Sequence, residues 1–489
     1  MKEALELVRR QLGRSYPLII GGEQIETRGR VELRNPANRD EVLGSVASGE
    51  PAHAEQAIAA AQKAFSSWSQ VPAEVRARYL VKVAALLRRR IYEFSAWMVV
   101  EASKTWLEAY ADAAEAVDFL EFYAREAVKF GAPHPTTPYP GEENEVRYLP
   151  LGVGAIISPW NFPLAIMAGM TVAAVVTGNT VVVKPAEQTP IIAAKFFELL
   201  EEASLPPGVA NLIFGDGETL CRPVHLVYGQ PGCGAAYLSQ SGADPARSKM
   251  AKKVVLEMGG KDAILVDAGV DPDVAAEGIV AAAFGFQGQK CSACSRLIVH
   301  QDNYDAVLEK VVSRASQLTL GDPADNANAL GAVIDADAYR KIHSYIEIGR
   351  GEGRVVLGGE QRPENSPNGY FIRPVVVADV ESKARIAQEE IFGPVLAMIK
   401  ARDFDHALAI ANDTDYALTG SCYSNNRAHL ERARHEFHVG NLYLNRKCTG
   451  ALVDVQPFGG FNLSGTDSKA GGRDYLLHFL QAKSITERW

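Results

Sequence analysis

A cysteine in a glycine-rich segment is the first residue of this sequence that could carry out chemistry. Cys291 lies in FQGQKCS, residues 286–292, which follows a helical pattern over 275–284. A thiol at such a turn can be exposed, and a neighbouring lysine or helix N-terminus would lower its pKa and favour the nucleophilic thiolate. A lone cysteine is more often a small buried hydrophobe. These residues alone favour a nucleophile only slightly.

Cys294 leaves a second interpretation open. Cys291 and Cys294 have the spacing of a redox dithiol or of half a metal site. The sequence has no second cysteine pair of suitable spacing, which argues against zinc. A thioredoxin-like motif normally belongs to a much smaller domain. We therefore expect no metal site.

Six short motifs in a fixed order place Cys291 in a wider pattern. On these motifs the chain resembles the aldehyde dehydrogenase superfamily over nearly its whole length. Each motif alone could be a turn or the start of a helix, but six in this order make the resemblance specific. The motifs are PWNFP at 159–163, KPAE at 184–187, LEMGGK at 256–261, GQKC at 288–291, EIFGP at 390–394 and PFGG at 457–460.

The resemblance implies oxidation of an aldehyde through Cys291, which would carry a thiohemiacetal and then a thioester. The Asn161 side-chain amide and the Cys291 backbone N–H would stabilise the oxyanion, by a few kcal/mol per donor. Glu257 would activate the water that hydrolyses the thioester, which requires a pKa matched to the working pH. Two alternatives remain, since Asn161 could be a helix N-cap before Pro163 and Glu257 a surface carboxylate.

The resemblance also implies a nicotinamide cofactor. Lys184 and Glu187 follow an apolar strand, where open α/β sheets bind nucleotides, and the matching family residues hold the adenosine ribose. Glu390 matches the residue that holds the nicotinamide ribose. The Glu187 carboxylate on the adenosine ribose diol would repel the 2′-phosphate that NADP carries there, so NAD is favoured over NADP. The expected cofactor-binding residues are Ser158, Pro159, Trp160, Lys184, Glu187, Gly217, Glu390 and Phe392.

Motifs outside this shared set indicate the aldehyde. They resemble the 1-pyrroline-5-carboxylate dehydrogenase subgroup, whose substrate is L-glutamate γ-semialdehyde, an α-amino acid with a terminal aldehyde. The implied reaction forms L-glutamate and completes proline breakdown. Dehydrogenation of another small semialdehyde is the alternative within the same chemistry. The segments that carry this resemblance are residues 114–119, 345–349, 437–443 and 449–451.

An amino-acid substrate needs partners for its carboxylate and its ammonium. The resemblance implies that the Ser292 hydroxyl and the backbone N–H groups of Gly450 and Ala451 bind the carboxylate, as unhindered N–H groups suit an anion. Glu115 matches the acid near the amino end. Phe162 and Phe458 would enclose the aliphatic part, although both could equally be core residues.

The elements around these motifs predict an α/β protein. Helical patterns run from residue 51 to about 131, and afterwards short β-branched runs alternate with helical stretches, which is typical of parallel sheets. The expected fold is aldehyde dehydrogenase-like, with two Rossmann-like parallel-sheet domains and a small β oligomerisation element. The predicted limits are 1–135 and 153–256 for the NAD-binding domain, 257–445 for the catalytic domain, and 136–152 and 446–489 for the oligomerisation element and C-terminal tail.

Composition limits the classes of partner. The 489 residues are 47% apolar and 22% charged, and a net charge of −9 with dispersed basic residues argues against nucleic-acid and anionic-membrane binding. The apolar stretch 165–183 is interrupted by glycines and an asparagine, so it does not suit a bilayer. Six mostly isolated cysteines favour a reducing cytoplasm. We expect a homo-oligomer, a dimer or an assembly of dimers.

Residues 221–250 depart from the family pattern. The family has a strand and a helix there, and that helix N-terminus faces the cofactor pyrophosphate. This stretch has two cysteines and three prolines, lacks a clear amphipathic period, and is shorter by about one helix. A divergent loop and a local reading-frame error are the two explanations, and we favour the second. If the stretch is genuine, the chain could instead be an inactive scaffold or binding subunit. A redox protein that uses Cys291 and Cys294 as a dithiol is the other alternative to a dehydrogenase.

Overall fold

The computed structural model describes residues 1–217, 220, 253–359 and 368–489. The question raised by residues 221–250 therefore lies outside the described residues. Within these ranges the chain forms an α/β fold with two larger sheets and smaller ones beside them. The helices are α1 Lys2–Arg9, α2 Pro51–Trp68, α3 Ala73–Arg89, α4 Ile91–Ala102, α5 Trp106–Gly131, α6 Ala165–Val176, α7 Pro190–Glu202, α8 Pro272–Phe284, α9 Tyr304–Ser316, α10 Ala336–Glu352, α11 Arg385–Gln388, α12 Phe404–Asn412 and α13 Arg427–Glu436.

The strands are β1 Arg14–Tyr16, β2 Leu18–Ile20, β3 Glu23–Ile25, β4 Arg30–Asn35, β5 Asn38–Ala47, β6 His134–Pro135, β7 Glu142–Pro150, β8 Val153–Ile157, β9 Thr180–Lys184, β10 Ala210–Leu212, β11 Asp262–Val266, β12 Cys294–His300, β13 Arg354–Leu357, β14 Val375–Ala378, β15 Val395–Ala401, β16 Tyr416–Ala417, β17 Thr419–Tyr423, β18 Asn441–Leu444, β19 Phe461–Asn462 and β20 Leu480–Arg488. From β8 onwards most strands are separated by helices, as the sequence predicts, whereas β1–β5 follow one another directly and were not predicted.

The first sheet has the order β3–β2–β10–β9–β8. Strands β8, β9 and β10 are parallel, and Val153 pairs with Thr180 at the start of β8. Both β9 and α6 are buried on every side, which explains their continuous apolar sequences. The carboxyl ends of β8 and β9 therefore deliver residues 158–162 and 184–187 to the same edge of this sheet.

The second sheet has the order β13–β14–β15–β12–β11–β17–β18, and its pairs are parallel apart from β13 with β14. Asp262 pairs with Cys294 where β11 and β12 begin. Because parallel strands begin at the same edge, the segments that precede β11, β12 and β15 converge there. These segments are 256–261, 288–293 and 390–394, so three of the six motifs meet at the amino ends of this sheet.

The predicted C-terminal tail contains an extended strand that pairs within the same chain. Strand β20 pairs antiparallel with β7 of the same chain along its whole length, from Leu480–Pro150 to Arg488–Glu142. The predicted tail at 483–489 is thus part of a small sheet with the order β20–β7–β6. The limits predicted for the domains stay a prediction. Among the described residues, no helix combines the length and apolar character that crossing a bilayer requires.

A buried arginine ties β12 to the segment before β11. Arg296 is 2% exposed, and its guanidinium donates to the carbonyls of Lys261 at 2.8 Å, Ile410 at 3.0 Å and Ala411 at 2.9 Å. Buried carbonyl groups need such donors, since each unpaired group costs about 1–3 kcal/mol. Arg296 therefore fixes the start of β12, and with it the residues just before that strand.

Replacing Arg296 should destabilise the protein strongly. Arg296→Met leaves three buried carbonyls without their donor, and a loss of about 3–5 kcal/mol is expected. Arg354→Met is the matched control, because the Arg354–Asp379 pair (2.9 Å) is solvent-exposed and should contribute less than about 1 kcal/mol. Thermal unfolding midpoints compare the two variants, and equal midpoints would contradict this role of Arg296.

Candidate active site

The segment 285–291, which we call the nucleophile turn, has a strained backbone. Helix α8 ends at Phe284, and the 3-10 turn Gly285–Gly288 follows, in which Phe286 and Gln287 have φ of 50° and 54°. Both residues are buried, and such left-handed conformations cost about 1–3 kcal/mol each outside glycine. The Gln287 side chain donates to the Ala332 carbonyl at 2.8 Å and thereby holds the turn.

Two cavities meet at Cys291 and Glu257. The first cavity has a volume of about 290 Å³, and the second about 490 Å³. Cys291 and Glu257 line both cavities, and so do Ile166 and Met170 of α6. The loop before α6 also contributes residues to the wall of each cavity. A ligand in either cavity can therefore contact the same thiol and the same carboxylate.

The sequence-predicted substrate residues lie together on the first cavity. Two aromatic rings, a carboxylate, a hydroxyl residue and the loop at 450–451 form its walls. The predicted residues found there are Glu115, Phe162, Ser292, Gly450, Ala451 and Phe458.

The sequence-predicted cofactor residues form two separate groups. Pro159, Trp160, Glu390 and Phe392 line the second cavity, where the Trp160 and Phe392 rings contact edge to face at 5.3 Å. Ser158 is buried beside them, and its hydroxyl has no hydrogen-bond partner within the described residues.

Lys184, Glu187 and Gly217 form the second group. Lys184 Nζ and the Gly217 N–H both donate to Glu187 Oε1, at 3.2 and 2.9 Å. The group lies at the carboxyl end of β9, the position from which a nucleotide is bound in open α/β sheets.

Asn161 is held against the nucleophile turn. Its side chain is 3% exposed, and its Nδ2 donates to the Gln289 carbonyl at 3.2 Å. Helix α6 begins at Ala165 with Leu164 as its N-cap, so the alternative of Asn161 as the helix cap is wrong. Asn161 also lines the second cavity, next to Cys291.

The surroundings of Cys291 favour the neutral thiol. Burial raises the pKa of Cys291 well above its usual value, and the carboxylates of Asp262, Glu257 and Glu390 raise it further. The expectation that a neighbouring lysine lowers this pKa is wrong, because Lys290 Nζ pairs with Glu108 at 2.9 Å instead. The resting thiol is therefore protonated at neutral pH.

Cys294 does not form a dithiol with Cys291. It is buried in β12, and its Sγ contacts the Arg296 carbonyl at 3.5 Å. Both cysteines are free thiols, and Cys294 packs in the apolar core between the sheet and α8.

Glu257 is half-buried on the walls of the two cavities rather than lying on the outer surface. Burial raises its pKa to about 7, and a hydrogen bond from Ser468 Oγ to its Oε1, at 3.2 Å, opposes that rise. A carboxyl group with this pKa is half ionised near neutral pH, as a general base requires. The alternative of a surface carboxylate is wrong.

Glu390 is bound by the motif that carries Glu257. Its Oε1 accepts from the Gly260 N–H at 2.9 Å. A Cβ at Gly259 would lie 2.5 Å from Glu390 Oε2, so a larger residue there would displace the Glu390 carboxylate. Burial raises the pKa of Glu390, while the Gly260 N–H and the Lys341 ammonium oppose that rise.

Sequence reasoning missed charged residues on both cavities. Lys341 of α10 lines the second cavity, and Glu108, Lys290 and Lys447 line the first. On the sequence these residues look like ordinary solvated charges on helices and loops. Lys290 was recognised on the sequence only as the neighbour of Cys291 and not as part of the cavity wall.

A buried ion pair behind the first cavity was also missed. Lys104 and Asp112 have fully buried side chains, 3.0 Å apart. Lys104 Nζ lies 4.1 Å from the centre of the Phe162 ring and 4.4 Å from that of Phe286. Asp112 accepts from the Ala165 N–H at 2.7 Å and so caps α6. The pair joins the start of α6 to the nucleophile turn.

Comparisons with known proteins show which family the chain resembles over its length. The sequence model of the aldehyde dehydrogenase family matches residues 24–485. The chain is 55% identical over 493 residues to the 1-pyrroline-5-carboxylate dehydrogenase of Geobacillus thermodenitrificans, covering 99% of this chain and 95% of that protein. It is 52% identical over 494 residues to the Bacillus subtilis enzyme of the same name, with the same coverage.

Solved structures show the same similarity. The 1-pyrroline-5-carboxylate dehydrogenase from Thermus, with bound NAD, superposes with a TM-score of 0.97 at 51% identity and covers 100% of this chain and 96% of that one. A betaine aldehyde dehydrogenase from Staphylococcus aureus in complex with NAD⁺ gives 0.92 at 28% identity, with 99% and 97% coverage.

Cys291 should react slowly with iodoacetamide at neutral pH. Because its thiol is protonated, the rate constant should rise about tenfold per pH unit from pH 7 to 9. A cysteine peptide, whose thiol titrates near pH 8.5, serves as the reference and should approach its plateau in this range. Peptide mass mapping measures alkylation at Cys291. An inflection below pH 8 would show that a nearby cation stabilises the thiolate.

Proposed function

The chain belongs to the aldehyde dehydrogenase family, and we propose that it oxidises L-glutamate γ-semialdehyde to L-glutamate with NAD. The semialdehyde is the open form of 1-pyrroline-5-carboxylate, and its oxidation completes proline breakdown. The observation that carries the proposal is the first cavity, which brings an anion-binding loop, a carboxylate and two aromatic rings to the thiol of Cys291. These are the partners that an amino acid with a terminal aldehyde needs.

The carboxylate and the ammonium of the substrate each have a partner of suitable polarity in the first cavity. Gly450 has φ of 81°, and with Ala451 it presents a loop whose N–H groups suit a carboxylate. Burial and the nearby Asp112 raise the pKa of Glu115 to about 8. A substrate ammonium beside Glu115 would favour its ionised form, so binding of the ammonium and ionisation of Glu115 support each other. Phe162 and Phe458 enclose the carbon chain.

NAD fits the second cavity and the group at the end of β9. Glu390 is held by the Gly260 N–H through one carboxylate oxygen, and its other oxygen would be available to accept from a ribose hydroxyl. Trp160 and Phe392 provide apolar walls for the nicotinamide end, and Lys184 and Glu187 provide polar groups for the adenosine end. When bound, NAD supplies the acceptor for the hydride and a positive charge that favours the thiolate of Cys291.

Cys291 and Asn161 perform the first half of the reaction. Cys291 first loses its proton to solvent water, the thiolate sulfur then adds to the aldehyde carbon, and the carbonyl oxygen becomes an oxyanion. The Asn161 amide, fixed at the nucleophile turn, and the Cys291 N–H stabilise that charge before it has to be solvated. After oxidation a thioester remains on Cys291.

Glu257 performs the second half. Its ionised carboxylate takes a proton from a water molecule, the water oxygen attacks the thioester carbon, and the C–S bond breaks. L-Glutamate leaves, and Cys291 is released as a thiolate. A pKa of about 7 makes Glu257 a base at neutral pH and protonates it in acid, so hydrolysis should fail first on the acid side.

An edge strand and the free cysteines bear on the assembly of the protein and on its location in the cell. We propose a homo-oligomer, a dimer or an assembly of dimers, because β20 is an edge strand with a largely exposed face. The free thiols of Cys291, Cys294, Cys422 and Cys448 support a reducing cytoplasm. The NAD-binding, catalytic and oligomerisation regions are proposed with the limits given above.

The purified protein should reduce NAD with 1-pyrroline-5-carboxylate, measured as NADH absorbance. With succinate semialdehyde, which lacks the ammonium, kcat/KM should be lower by about 10–100-fold, since Glu115 then stays without its partner. Glu115→Gln is the matched variant and should narrow this preference. A preference of the wild type for succinate semialdehyde would overturn the substrate assignment.

Removing the two thiols should have very different effects. Cys291→Ser should lower turnover by about 1000-fold or more, because a neutral hydroxyl is a much weaker nucleophile. Cys294→Ser should keep activity of the same order as the wild type, since Cys294 faces the core. The NADH assay measures both. Loss of activity in Cys294→Ser with retained folding would favour dithiol chemistry instead.

A further inference from the structure

A segment near the C-terminus holds the loop that carries Glu257. We call residues 464–468 the clamp. The Met258 N–H donates to the Ser464 carbonyl at 3.1 Å, and the Thr466 N–H donates to the Leu256 carbonyl at 3.0 Å. Glu257 and Gly465 form an antiparallel bridge between these two bonds. The backbone of the general base is therefore paired on both sides of Glu257.

The clamp approaches this loop too closely for most residues. Gly465 has φ of 141°, and a Cβ there would lie 2.3 Å from the Leu256 carbonyl oxygen. Asp467 and Lys469, on either side of Ser468, have φ of 51° and 53°. Such strained conformations persist where the surroundings impose them, and here they direct Ser468 inward. Its side chain is 2% exposed.

We propose that Ser468 is a positioning residue for the hydrolytic step, which holds the Glu257 carboxylate through the hydrogen bond that its hydroxyl donates. The inference rests on the proposed function, since it takes Glu257 as the base. Ser468 Oγ contacts Glu257 Oε1 at 3.2 Å. With Oε1 engaged, Oε2 remains to accept the proton of the attacking water, so the bond orients the carboxylate as well as stabilising its ionised form.

The other groups around Glu257 do not replace Ser468. Helix α5 presents Glu115 and Tyr123, which line the first cavity, and the nucleophile turn presents Cys291. Glu115 is a second acid, and the Tyr123 hydroxyl accepts from the Gly471 N–H at 2.8 Å. His478 contacts the Ser468 carbonyl at 3.1 Å, and burial lowers its pKa, so it adds no positive charge at neutral pH.

Without the Ser468 hydroxyl, nothing at that carboxylate oxygen would oppose the effect of burial on the pKa of Glu257. The pKa of Glu257 should then rise above about 7, so that the carboxylate is protonated over more of the neutral range. A hydrogen bond to an ionised group corresponds to a shift of about one pH unit or more. Because a protonated Glu257 cannot accept the proton of water, hydrolysis of the thioester should need a higher pH.

The decisive variant is Ser468→Ala, assayed by the dependence of kcat on pH. The acid limb should move up by about one pH unit, with KM changed little. Ser464→Ala is the matched control, because it removes a buried hydroxyl of the same clamp that accepts from the Ala417 N–H and does not contact Glu257. Its acid limb should stay at the wild-type position. An unmoved limb in Ser468→Ala would overturn the proposal.

A second measurement separates this inference from the proposed function. Acid-quenched samples are analysed by intact mass for the acyl group on Cys291. Ser468→Ala should accumulate this adduct below pH 7 and lose it at higher pH, whereas Glu257→Gln should accumulate it at every pH. If Glu257→Gln turns over without an adduct, the role of Glu257 fails. If it accumulates the adduct while Ser468→Ala behaves as wild type, only the role of Ser468 fails.

Discussion

Burial of Cys291 and Glu257 where two cavities meet is the constraint on which the rest of the site depends. Removal from water raises the pKa of both groups, so the thiol is protonated at rest and the carboxyl is half ionised near pH 7. The resting thiol is thus not the nucleophilic thiolate, and only part of the Glu257 carboxyl is in the ionised form that can accept a proton.

Buried polar groups connect the loops and helices that form this site. Lys104 and Asp112 connect the start of α6 to the strained turn before Cys291, and Arg296 connects β12 to the loop before β11. Ser468 contacts Glu257 from the C-terminal clamp. Such groups are costly to bury unless every partner is in place, so they specify one arrangement of the loops. The loops can therefore be strained and still be fixed.

Much of the fold could be predicted from residue patterns because the patterns are local. The helical patterns predicted from residue 51 to about 131 coincide with α2–α5, and the short β-branched runs predicted after them appear as strands such as β8 and β9. The motifs identified Asn161, Glu257 and Cys291, which lie together on the cavities. The partner of Lys290 could not be predicted, because Glu108 lies 182 residues earlier and the direction of a lysine side chain depends on what surrounds it.

The sequence by itself determined the alternation of strands and helices after residue 131 and the kind of aldehyde, and it predicted the thiol chemistry, because these depend on residue types at short spacing. Only the tertiary structure decided how those groups are charged. Glu257 and Ser468 are 211 residues apart, and their contact exists because two loops at the edges of packed sheets are forced together. Burial and hydrogen bonding, which set each pKa, are properties of that packing and leave no periodic trace in the sequence.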